Sequence, residues 1–171
     1  MLQFDQYISQ LTAQNKLAKA NKFVFTTCSG ESQLQGAIQN LRTASAYIIA
    51  DTVTSGGTIK KGASFYQRRT YTFFIIKKSK YGYEQEREKS MDVCRELRKQ
   101  FLSKILYDMS AFTAKGDADI SFETTKVSFD LTSVQSVEYP DMRLDNCTGL
   151  FVMINSDEPI NLAYAPGEWD S

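Results

Sequence analysis

The sequence predicts an α+β domain built on an antiparallel sheet. Three observations carry this. Two β-prone runs, residues 46–54 and 65–78, flank a segment rich in Gly and Lys. One long charged amphipathic segment, residues 83–109, follows them directly. Strand-like apolar runs then return near the C-terminal end. Runs of strands and helices in this order, without regular βαβ alternation, place helices mainly on one face of an antiparallel sheet. The expected arrangement has the long helix and an N-terminal helix on that face, and an extended β-hairpin.

Residues 1–45 read as an N-terminal helical segment. Phe4, Tyr7, Ile8 and Leu11 recur at i, i+3, i+4 and i+7, which predicts a helix over 2–19. Phe23, Val24 and Phe25 form a short apolar run, broken by Ser29 and Gly30. Leu34, Ile38 and Leu41 repeat at helical spacing, predicting a short helix over 32–42.

Residues 46–155 read as the α+β core. Tyr47–Ala50 opens a strand, and the turn signal Ser55-Gly56-Gly57 follows it. The segment 55–63 reads as a mobile hairpin tip. In the next strand apolar residues fall on both parities at Phe73–Ile76, so it is covered on both faces or enters a subunit interface. The long helix has Glu84, Glu86 and Glu88 early and Arg95, Arg98, Lys99 and Lys104 late, matching the macrodipole. Its apolar stripe is Met91, Cys94, Leu97, Phe101, Ile105 and Met109.

Beyond Asp119 the chain is β again. The apolar parity changes between Phe122 and Val127, predicting a bulge or tight turn near 124–126. Val134, Val137 and Tyr139 suit a further strand or irregular edge, Tyr139-Pro140-Asp141 a loop, and Leu150–Ile154 an apolar strand. Residues 156–171 read as an irregular extension, and the whole chain as a single domain.

Composition sets limits. A chain of 171 residues with 42% hydrophobic and 23% charged residues is ordinary for a globular domain. Such a domain buries about 70% of its unfolded surface. Eleven Phe and nine Tyr suit strands and interfaces. Histidine is absent, which excludes a Ser-His-Asp triad, a Cys-His pair, an HExxH motif and a zinc site of the Cys₂His₂ kind. Cys28, Cys94 and Cys147 are odd in number and widely spaced, so free thiols are expected. The first ten residues do not read as a signal peptide, and no apolar run is long enough to span a membrane.

Charge is segregated although the formal net charge is zero. Seven basic and no acidic residues lie between 52 and 80: Lys60, Lys61, Arg68, Arg69, Lys77, Lys78 and Lys80. Seven acidic residues and one Arg lie between 138 and 171. The basic hairpin, interleaved with Phe65, Tyr66 and Tyr71, has the ingredients of a nucleic-acid grip. A pI near 6.3 argues against nucleic acid as a direct ligand. The plainer readings are pairing with the acidic C-terminal region in the same subunit, or protection of an exposed edge. Glu138, Asp141 and Asp145 are carboxylates of the kind that hold Mg²⁺ or Ca²⁺, but they lack EF-hand spacing, and the plainer reading is a solvated acidic loop. Gly56, Gly57 and Gly62 do not make a phosphate-binding loop, since no Gly-Lys-Ser/Thr leads into a helix. No cofactor is expected.

The order of elements, with the passages YIIADTV, RRTYTFFIIKKSKYGYEQEREKSMDVCREL and YPDMRLDNCTGLFVMIN, resembles the phage tail-terminator or tail-completion (neck) proteins. The similarity spans about residues 46–155. It implies a non-enzymatic virion protein, assembled in the host cytoplasm into a ring, usually a hexamer. That ring caps the tail tube and joins it to the head–tail connector. Under this resemblance the expected docking residues are Lys60, Lys61, Arg68, Arg69, Phe73, Ile75, Glu138, Asp141 and Asp145, with opposite charges registering stacked rings. The competing expectations are a metal-dependent small-ligand or enzyme domain using Glu138, Asp141 and Asp145, and a nucleic-acid-binding module using residues 60–80.

Overall fold

The computed structural model describes residues 3–30, 33–40, 43–79, 83–115, 128–142 and 146–163. The fold is α+β, with helices on a mostly antiparallel six-stranded sheet.

The N-terminal periodicity produces two helices, α1 (Phe4–Gln14) and α2 (Lys16–Ala20), where one was expected. Asn15 between them has extended backbone, and its side-chain oxygen accepts from the Ala18 N–H at 2.9 Å. An Asn that caps the second helix ends the first, because its amide competes with the helical ladder. The apolar run at Phe23 is the start of β1 (Phe23–Cys28), which pairs in parallel with β2 (Ala46–Asp51). Between them lies α3 (Leu34–Asn40).

β3 (Ser55–Lys61) and β4 (Ser64–Lys78) form the hairpin, closed by a two-residue turn with Gly62 at φ 61°. The segment read as a mobile tip is therefore mostly strand, with each residue of β3 matched to one of β4. Helix α4 (Glu84–Lys115) extends beyond the expected end at Met109. β5 (Ser128–Met142) and β6 (Cys147–Ile160) complete the sheet in the order β1-β2-β4-β6-β5, with β3 beside the first half of β4.

The two-faced strand is central. Phe73 and Ile75 pack with Leu97, Phe101 and Ile105 of α4 and Ile8 of α1 in one core. Phe74 and Ile76 pack with Leu34 and Ile38 of α3 in a second core on the opposite face. The long helix and the N-terminal helix thus share a face, as expected, and α3 covers the other. At Gly149 the strands approach so closely that a Cβ would lie 2.2 Å from the Ile75 carbonyl oxygen.

Two sequence expectations are corrected here. Residues 156–160 are not an irregular extension: they continue β6 and pair with Phe65–Arg69 of β4, so their backbone groups gain partners. Tyr139-Pro140-Asp141 lies within β5, at a register shift between Tyr139 and Met142, where an edge strand tolerates a proline. The parity change near 124–126 lies outside the described residues.

Candidate functional site

The β3–β4 hairpin and the end of β6 form an arm. β3 makes its substantial contacts with β4 alone, and six of its seven residues are exposed. A two-stranded hairpin by itself is marginal in water, so the arm needs further support. That support is electrostatic and comes from β6.

Asp157 is 3% exposed and accepts from Lys61 Nζ at 2.6 Å, Arg68 Nε at 2.8 Å and a terminal Arg68 nitrogen at 3.0 Å. The Arg68 hydrogen bonds, then the Lys61 hydrogen bond, hold its carboxyl below the usual aspartate range. Asp130 of β5 lies 3.7 Å from Arg68. Arg69 stands 4.0 Å from Glu158. Glu158 also accepts from the Tyr71 hydroxyl at 3.4 Å, and burial followed by the Glu158 charge pushes that phenol up to about 12. Lys60 lies over the Phe65 ring, 5.7 Å from its centroid.

Among the described residues, Lys61, Arg68 and Arg69 of the basic segment therefore pair with Asp157 and Glu158 of the acidic one on adjacent strands. For these residues the plainer reading, pairing within the subunit, holds. Donors on Lys61 and Arg68 that face Asp157 are also not free for phosphate.

The remaining expected docking residues scatter. Phe73 and Ile75 have 0% exposure within the chain's own core and offer a partner no surface, so they leave the docking set. Glu138 is held by an arginine. Both its oxygens accept from Arg95 of α4, at 2.8 Å each, and this bond holds its carboxyl below the usual glutamate range. Arg95 also donates to Glu88 at 2.7 Å and Asp92 at 2.8 Å. Asp141 is in β5, and Asp145 lies outside the described residues. Among the described residues no group of three or more Cys, Asp or Glu is placed to hold a metal ion.

A small cleft of about 250 Å³ opens where the chain passes from β2 to β3. Gln3, Asp5, Asp51, Thr52, Thr54, Arg69 and Tyr71 contribute to its lining. Asp51 is structural there, since one carboxylate oxygen accepts from the Gly30 N–H at 2.9 Å and the Val53 N–H at 2.8 Å.

Sequence reasoning missed Asp157 and Arg95 as anchors. Arg68 and Asp157 are 89 residues apart, and only strand register makes them neighbours. The acidic count of the C-terminal region was the available signal, without a way to choose the residue. No family model matches the chain, and no curated protein sequence matches it significantly. No described helix is long and apolar enough to cross a membrane.

Proposed function

We propose that this chain is a non-enzymatic structural protein of a phage or prophage neck. It assembles into a ring that terminates the tail tube and joins it to the head connector, within the virion. The observation that carries the reading is the arm. The chain devotes β3, half of β4 and the end of β6 to an extension whose outer strand packs against no helix in substance. It braces that extension with a nearly buried carboxylate held by two cations. A free-standing strand with such bracing suits contact with another subunit or an adjoining ring.

The order of elements and the quoted passages support the same reading. Phe73 and Ile75 have no part in it. Lys60 remains as a docking residue, because its ammonium faces only an aromatic ring among the contacts described.

Light scattering on the chromatographed protein tests the proposal. A discrete mass that is a small multiple of 19.4 kDa, either alone or once tail tubes are added, is expected. A monomer at all concentrations that ignores tail tubes overturns it.

A further inference from the structure

Three strands have an edge that no described strand covers: β3 on the arm, β5 at the far side, and β1, which carries no charged residue. From these edges we infer that the ring contact is strand addition, with β3 of one copy pairing antiparallel to β5 of the next. The inference rests on the ring reading above and supplies its interface.

Hydrogen-bonding geometry makes β3 competent. A two-residue turn closes the hairpin at Lys61 and Ser64, so Lys61, Ile59 and Gly57 direct their backbone groups to β4. Gly56, Thr58 and Lys60 then point theirs outward. The strand pairs in one unbroken register and has no bulge to twist its edge away.

Charge selects the partner edge. β3 carries Lys60 and Lys61 and no acid, whereas β5 carries Asp130, Glu138 and Asp141 and no base. Pairing β3 with itself would gain no opposite charge. Lys61 is already held by Asp157, which leaves Lys60. Around Glu138 two guanidiniums, Arg95 and Arg98, face three carboxylates, Glu88, Asp92 and Glu138, so this group keeps one net negative charge.

Register follows from the faces. Lys60 opposes Phe65, and Glu138 lies in line with Leu150 and Ile75, so both side chains stand on the α4 face of the sheet. Val137 stands on the other face, 43% exposed, inside the regular Gln135–Tyr139 stretch of β5. Placing Ile59 of one copy opposite Val137 of the next keeps each on a common face and sets Lys60 diagonal to Glu138. The strand directions agree. β5 runs with β4 and β3 runs against it, so copies repeated in one orientation meet β3 to β5 antiparallel. Two different edges in contact make a heterologous interface, the kind that closes into rings.

The test is cysteine cross-linking of the full chain, with diamide as oxidant. Ile59→Cys/Val137→Cys is the central pair, and Gly57→Cys and Lys61→Cys against Val137→Cys cover slips of two residues. The native thiols Cys28, Cys94 and Cys147 are all buried, which keeps background low. The double variant is expected to give a ladder of covalent multimers beyond the dimer on a non-reducing gel, and neither single variant a ladder. Thr58→Pro removes one outward N–H and should abolish the assembly while its circular dichroism stays that of the parent. A discrete ring mass with no ladder from any of the three pairs overturns strand addition and leaves the ring reading standing. Dimers from Ile59→Cys alone overturn it in favour of β3 pairing with itself. A monomer throughout, with and without tail tubes, overturns both.

Discussion

Replacing Asp157 by Asn tests how the arm is held. The carboxylate is 3% exposed and accepts from Lys61 and Arg68 at 2.6–3.0 Å. Breaking a fully buried ion pair costs about 3–5 kcal/mol. Here Lys61 is 51% and Arg68 32% exposed, so both cations recover water when the charge is lost. The expected loss falls to about 2 kcal/mol, a drop in Tm of about 4–8 °C for a chain of this size. Thermal melts at pH 7 measure it, and a cycle with Arg68→Gln should show coupling of about 1–2 kcal/mol. The pH dependence has a fixed sign. The folded carboxyl lies below the ordinary value near 4, so its contribution is present above that value and is lost as pH falls through the folded one. Parent and Asp157→Asn should therefore differ by a constant amount from pH 5 to 8 and converge below about 4. A shift under about 1 °C, or strict additivity with Arg68→Gln, would refute the electrostatic brace.

Other outcomes follow from the same contacts. Gly56→Ala places a Cβ 1.9 Å from the Arg68 carbonyl oxygen, whereas at Gly57 nothing lies within 4 Å. Hydrogen exchange across β3 should rise sharply in Gly56→Ala and stay unchanged in Gly57→Ala. Gly149→Ala, whose Cβ would meet the Ile75 backbone in the centre of the sheet, should cost about 3 kcal/mol or prevent folding, read by urea denaturation. Leu97→Ala, at 0% exposure, should cost about 2–5 kcal/mol in the same assay. Burial pushes the Cys94 thiol up to about 12 and, with the Asp51 charge, the Cys28 thiol to about 11. A thiol reagent at pH 7.5 should therefore label neither until urea unfolds the chain.

The secondary elements were largely legible because periodicity is local. The stripe Cys94, Leu97, Phe101 and Ile105 announced α4, and the double parity of Phe73–Ile76 announced a strand covered on both faces. β1 was harder to read. Its burial pattern alternates little, and its parallel partner β2 lies beyond α3. β3 was misread because glycine and lysine are poor strand formers; it is a strand because β4 supplies its ladder. Asn15 hid a break inside a good helical pattern. The site was legible only as a charge imbalance. Which carboxylate meets which cation depends on the β4–β6 register, and at Arg68 and Asp157 that pairing joins residues 89 apart in sequence.

Electron microscopy of the purified assembly tests the central claim most directly. Closed rings in which one subunit's arm lies along the β5 edge of its neighbour are the predicted result. Isolated monomers, or rings whose arms project free of the adjoining subunit, would contradict it.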